Sequence, residues 1–300
     1  MKSILRVACV AGLLLAAGSA AADQGPYPQT EEERNAAFDA LTWRDEARDY
    51  ALDRSHAHIT LSQGKVLLLG SDAERLGWLV SGVEFPGTEA ILAYQTGDSA
   101  VVYYEWRDEG YVSDSDWSDV DAGELLTQYK ESTVASNEER AKNGFPPMEV
   151  VGWLQPPSYD AATRTVTYAM ELKDTDSHWA NAVALRLGRT GYTELTWAGS
   201  IESLKNSGNH PELLQAALDT HAFDQGYRYT DFQEGDKVAA YGIAGLVATA
   251  LGLKFSKGII AALIAVLIAG KKIIIPVAVV AVAALAKYGK KLFNRGGAES

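Results

Sequence analysis

The sequence predicts an α+β fold: mixed strands and helices in one exported domain, followed by C-terminal membrane helices. Three observations predict it. Strand-type runs rich in Val, Leu and Tyr are interspersed with helix-type runs, without the regular strand–helix–strand alternation that builds a parallel sheet. No internal repeat is visible. After Asp236 the composition shifts from a mixed polar sequence to one made almost wholly of Ala, Val, Ile, Leu and Gly.

The elements follow in order. Thr30-Glu31-Glu32-Glu33 has the form of a capping box. With the loose apolar face of Phe38, Leu41, Ala47, Tyr50 and Ala51, it predicts a long surface helix over residues 30–55. His56–Leu61 and Lys65–Leu69 flank Ser62-Gln63-Gly64 and predict a hairpin. A short helix is expected over Asp72–Val80, then strands over Ala90–Tyr94 and Ala100–Arg107. Asp121 and Glu124 cap a helix running to about Lys142, which Phe145-Pro146-Pro147 stops. Strands are expected at Glu149–Leu154, Arg164–Glu171, Ala180–Leu187 and Tyr192–Ala198, and a last helix over Pro211–His221.

The two ends carry the topology. Lys2 and Arg6, the apolar run Val7–Ala17 and the small residues Ala20-Ala21-Ala22 have the three-part form of a cleaved signal peptide over residues 1–22. Cys9, the single cysteine, lies inside it, so the mature chain is expected to have no disulfide, thiolate metal site or cysteine nucleophile. Residues 23–236 form the exported domain, 237–291 a membrane-anchoring region and 292–300 a cytoplasmic tail. Lys271 to Lys290 would span ~30 Å as a helix, the thickness of a bilayer core. The basic residues Lys287, Lys290, Lys291 and Arg295 place that end inside. Whether the region crosses once or three times is left open by its three apolar runs.

Charge divides along the same line. Residues 23–236 hold 38 Asp and Glu against 16 Lys and Arg, a balance of −22; residues 237–300 hold 1 against 9, a balance of +8. The acidic body repels nucleic acid, which is excluded as a partner. The basic end suits an anionic inner leaflet.

Candidate chemistry is sparse. Asp114, Asp116, Asp119 and Asp121 form an oxygen-rich loop of the kind that binds Ca²⁺, but Asp119 and Leu125 occupy positions where an EF-hand needs glycine and glutamate. A solvated turn capping the next helix is the simpler reading. His56 and His58 alternate on an expected strand, so both would face one side and could hold Zn²⁺ with a third ligand. His178, His210 and His221 are possible bases, but no Gly-x-Ser-x-Gly elbow is present in the body. Gly188-Arg189-Thr190-Gly191 is too short for a phosphate loop and reads as a turn. Trp153, Tyr159, Tyr168, Trp179 and Trp197 could line a ligand groove, but core and edge packing is the simpler reading. No catalytic residue, cofactor or metal is assigned; the weak metal candidates are Asp114, Asp116, Asp119, His56 and His58.

Several segments carry a resemblance. Gly110-Tyr111-Val112 and the aspartates after it come first, then Gly152-Trp153-Leu154 with Pro157 and Tyr159-Asp160. Leu187-Gly188-Arg189-Thr190-Gly191 and Phe223 with Gly226-Tyr227 follow. Tyr229-Thr230-Asp231-Phe232 and Gly235 to Gly242 complete the set. In this order the chain resembles, from about His56 to Tyr288, the bacterial membrane-anchored proteins grouped as domain of unknown function 2167. The resemblance implies an exported domain with a C-terminal anchor, and implies no activity. The expected function is that of an envelope protein acting through contacts with an unidentified protein partner at the inner membrane; the alternative is a membrane-tethered hydrolase or metal-dependent enzyme.

Overall fold

A computed structural model describes residues 27–253, apart from 82–84, 96–99, 143–145, 176 and 207–210. The expected signal peptide and the chain from Lys254 onward lie outside the described residues. Among the described residues no helix is long and apolar enough to cross a membrane.

The elements are α1 (Glu31–Asp39), β1 (Asp49–Leu52), β2 (Ala57–Thr60), β3 (Lys65–Leu69), α2 (Ser71–Ser81), β4 (Thr88–Tyr94) and β5 (Val101–Arg107). Then come α3 (Ala122–Lys142), β6 (Glu149–Asp160), β7 (Thr165–Lys173), β8 (His178–Leu187), β9 (Tyr192–Ser200), α4 (Ile201–Asn206), α5 (Glu212–Thr220), β10 (His221–Phe223) and α6 (Ile243–Ala250). The fold is α+β. Seven antiparallel strands form one sheet in the order β3-β4-β5-β9-β8-β7-β6, and a smaller sheet has the order β1-β2-β10. After β5 the chain leaves the large sheet, forms α3, enters at the far edge with β6 and winds back until β9 pairs with β5.

Strand alternation divides the core between the two faces of the large sheet. On one face Leu92, Val102, Tyr104, Leu195 and Trp197 pack against Leu52 and Ile59 of the small sheet and Leu213 and Leu214 of α5. On the other face Leu68, Ile91 and Tyr103 lie with Leu76 of α2. Further along that face, Tyr168, Leu185 and Tyr192 pack with Ile243, Leu246 and Val247 of α6.

Three expectations are corrected. The helix expected over 30–55 ends at Asp39, although its capping box is present: Glu33 N–H donates to Thr30 Oγ1 at 3.1 Å, and Thr30 N–H donates to Glu33 Oε2 at 3.1 Å. Beyond it the chain is extended, held by an Arg44–Leu67 bridge and by Tyr50 and Leu52 alternating into the core as β1. Burial of these residues outweighs the weak helical preference of the segment. The expected hairpin does not form either, because β2 pairs with β1 and β10 whereas β3 pairs with β4. His56 precedes β2 in a left-handed conformation (φ 51°), so it does not alternate with His58 along a strand.

The apolar run Val238–Leu253, which opens the region 237–291 expected to anchor the chain, packs with the body. Ile243, Leu246 and Val247 are fully buried. The compact unit that contains the body runs to Leu253.

Candidate functional site

The loop that follows β5 meets the segment leading to α6. Gly110 has φ +92°, and a Cβ there would lie 2.7 Å from the Lys237 carbonyl oxygen, so glycine alone lets the two stretches lie together. Tyr111 N–H donates to Lys237 O at 2.8 Å, and Ala239 N–H donates to Tyr111 O at 2.9 Å, forming a parallel bridge. Farther along the loop, the buried Asp116 accepts the Ile243 N–H through Oδ1 at 2.8 Å. The same N–H also donates to Ser113 O at 2.8 Å, so carboxylate and carbonyl share this donor at the α6 N-terminus, where the N-cap residue Gly242 offers no side chain. Gly242 has no Cβ to collide with that carboxylate. Burial pushes the Asp116 pKa up, while its backbone hydrogen bonds oppose the rise.

Asp114 organises the next layer. Tyr159 donates to its Oδ2 at 2.5 Å, Tyr229 donates to its Oδ1 at 3.1 Å, and the Arg164 guanidinium pairs with Oδ2. The Asp114 N–H in turn donates to Tyr229 Oη at 3.2 Å. Burial disfavours the charged form of Asp114, but the two phenols and the guanidinium outweigh it and hold its pKa below the usual aspartate value. Burial, then the Asp114 partner, pushes Tyr159 up to about 12, so it stays a donor. The Arg164 guanidinium also lies 5.0 Å above the Tyr229 ring. Around this hub Tyr111 stacks on Tyr229 at 4.5 Å and meets Phe232 at 4.2 Å, and Trp117 meets Tyr159 at 5.5 Å.

A third tie comes from the β8–β9 turn. Arg189 is bidentate to Asp236, at 2.7 and 2.8 Å, and also donates to Gly226 O at 3.0 Å. The Arg189 bonds, helped by the Gln233 N–H, bring the Asp236 carboxyl down to about 2. Several segments that carried the family resemblance, namely Gly110-Tyr111, Asp114, Asp116, Tyr159, Arg189, Gly226, Tyr229, Phe232, Asp236 and Gly242, are thus brought together along the chain leading into α6, whereas Leu154 and Phe223 pack on the other face of the large sheet.

The metal candidates are distributed over separate tasks. Asp114 is the hub, Asp116 caps α6, Asp121 Oδ1 accepts from Gly123 N–H at 2.8 Å and Glu124 N–H at 3.0 Å at the start of α3, and Asp119 is exposed in a short 3-10 turn. His56 stacks on Tyr227 with ring centroids 3.9 Å apart, and His58 Nδ1 bonds Asp224 at 2.9 Å. His178 bonds Glu171 at 2.6 Å, whereas His221 is buried with neither ring nitrogen hydrogen-bonded among the described residues. His210 lies outside the described residues. Among the described residues no group of three or more His, Cys, Asp or Glu is placed to hold a metal ion.

A cross-strand acid pair, one member buried and the other partly so, escaped the sequence reading. Glu105 of β5 and Glu194 of β9 are direct cross-strand partners, and Arg107 contacts both, at 2.5 and 3.9 Å. Burial first, and then the opposing Glu105, pushes Glu194 up to about 7 despite Arg107. The signal was present in the alternation: Val101, Tyr103, Glu105 and Arg107 share one side of a strand whose first two such residues are core. Arg164 and the Arg189–Asp236 pair were likewise missed, because residues far apart in sequence must fold together before their pairing exists.

Comparison with solved structures aligns cyanobacterial PsbP (CyanoP) from Synechocystis sp. PCC 6803 with a TM-score of 0.35 and 9% sequence identity, over 62% of this chain and 94% of that one. No curated protein matches the chain. The profile described as protein of unknown function (DUF2167) matches residues 44–284, the span that holds both the large sheet and the ties around α6, and the chain belongs to that family.

Proposed function

We propose that this chain is an exported envelope protein, anchored in the bacterial inner membrane by its C-terminal sequence, that presents an acidic body to a protein partner and works by contact rather than catalysis. The observation that carries this reading is the use made of the family-resembling residues. Gly110, Tyr111, Asp116, Arg189 and Asp236 hold the segment that leads into α6, and Asp114 fixes Tyr229 just before it. Residues arranged this way hold the end of the body, up to Leu253, in a defined fold. The polar atoms of Asp114 and Asp116 are occupied by protein donors, which leaves them poorly suited to a metal-dependent reaction. The three-part N-terminus and the basic tail supply the expected topology.

Reporter fusions test the topology. A reporter active only outside the cytoplasm should work when fused after Leu253 and fail when fused after Arg295. Activity of the second fusion would mean an even number of crossings and would overturn the proposed topology. Cross-linking in intact membranes tests the contact role: a discrete adduct with another protein should form through the body and disappear when the body is clipped off.

A further inference from the structure

We infer that the face carrying Phe232 and Val238 is seated in the membrane–water interface, so that the body touches the bilayer as well as being tethered to it. The inference rests on the anchored reading above. Among the described residues the exposed large hydrophobics are Val134, Phe232 and Val238, at 70%, 39% and 56% exposure. Two of these three lie on the short stretch just before α6, and Tyr111 joins them: its ring meets Phe232 and its backbone bridges Val238. Tyr229, Trp117 and Tyr159 continue the aromatic cluster behind. Rings with a polar tip favour the headgroup level of a bilayer, where one end is apolar and the other wet. Lys237, next to Val238, donates through Nζ to Asp108 O at 2.6 Å and pairs with the Asp108 carboxylate at 3.5 Å, so its charge is matched within the protein and the contact rests on the apolar and aromatic groups. The acidic Glu234 is also exposed here, whereas Asp236 is neutralised by Arg189.

The occupant follows from continuity. The chain that leaves this patch reaches Leu253, and the sequence beyond runs Gly258–Gly270 and Ile273–Ala286 without an acidic residue. A body at −22 gains nothing from an anionic surface at long range, so the contact has to be made by apolar and aromatic groups and should persist on zwitterionic lipid.

Single-cysteine variants of the full chain test this, because Cys9 is the sole native cysteine. In a Cys9→Ser background, Phe232→Cys, Val238→Cys and Val134→Cys would each be labelled with an environment-sensitive fluorophore and reconstituted in phosphatidylcholine vesicles carrying nitroxide-labelled lipid. The labels at 232 and 238 should be quenched several-fold more than the label at 134, in vesicles that carry the chain upward on flotation. Equal quenching at all three positions in floated vesicles would overturn the interface contact while leaving the anchor intact. Failure to float would overturn the anchor and the contact with it. A blue shift at 232 and 238 that follows protein concentration in detergent, without lipid quenching, would assign the patch to a second copy of the chain and overturn the inference. Val238→Cys guards against a folding defect in Phe232→Cys, since Val238 is the more exposed of the two.

Discussion

Two buried side chains give this protein opposite responses to pH. Burial, with Arg186 and His58 nearby, brings the His221 pKa down to about 3, against about 6.5 in an unfolded chain. The folded state therefore excludes a proton that the unfolded state binds, and stability is lost as pH falls from about 6.5 towards 3, by at most about 1.4 kcal/mol per pH unit. Glu194 behaves in the reverse sense. Its pKa of about 7 lies above the ordinary glutamate value, so the folded state holds a proton the unfolded state releases. That contribution is present below about 4.5 and is lost as pH rises through about 7. Thermal unfolding measured at closely spaced pH values should show His221→Leu flattening the acid side of the profile. Glu194→Gln should instead remove the decline between about 4.5 and 7 and raise the melting temperature at pH 8. At the same scale, Asp114→Asn should destabilise by about 1–3 kcal/mol in denaturant unfolding, because Arg164 loses its charged partner and one phenol must reorient.

At the scale of the elements, the start of α6 depends on Asp116, which lies 127 residues away in sequence. Asp116→Ala should cost about 1–2 kcal/mol, as for loss of a helix cap, with Asp116→Asn retaining most of the stability. Chemical denaturation compares the two directly, and equal losses would indicate that the cap bond is not what Asp116 contributes. The strands of the large sheet and α3 could be read from sequence because their periodicity is local: Val183, Leu185 and Leu187 alternate inward on β8, and Asp121 announces α3. β1 and β10 could not, since four- and three-residue strands carry too little pattern and exist through pairing with β2. α6 falls within residues 237–291, expected from composition to anchor the chain, for a physical reason. A short helix buried on nearly every side has the same uniform apolarity as one in lipid, and composition cannot separate the two.

At the scale of the whole molecule, the packing of α6 sets where the body ends. Ile243, Leu246, Val247, Leu251 and Leu253 are all buried, and each such side chain contributes about 1.5–3 kcal/mol on leaving water. Their sum is comparable to the about 5–15 kcal/mol by which an ordinary domain is stable. A chain of residues 23–253 should therefore unfold in one cooperative transition, whereas 23–236 should show broad melting and bind a hydrophobic dye. Circular dichroism and dye fluorescence on the two fragments would decide the matter; equal melting would mean that α6 adds little. The candidate site was legible only as separate motifs. The sequence carried Gly110-Tyr111, Arg189, Tyr229 and Asp236, but the path that brings them together depends on β9 returning to pair with β5.

The order in which the ties occur along the chain has a mechanical consequence. Tension applied at Leu253 would meet α6 first and have to draw it from its apolar seat. The Asp116–Ile243 bond comes next, then the Tyr111 bridge at Val238, and last the forked Arg189–Asp236 pair, which leads into the β8–β9 turn. A pull from the tail is thus met by a series of latches, each of which must yield before load reaches the sheet.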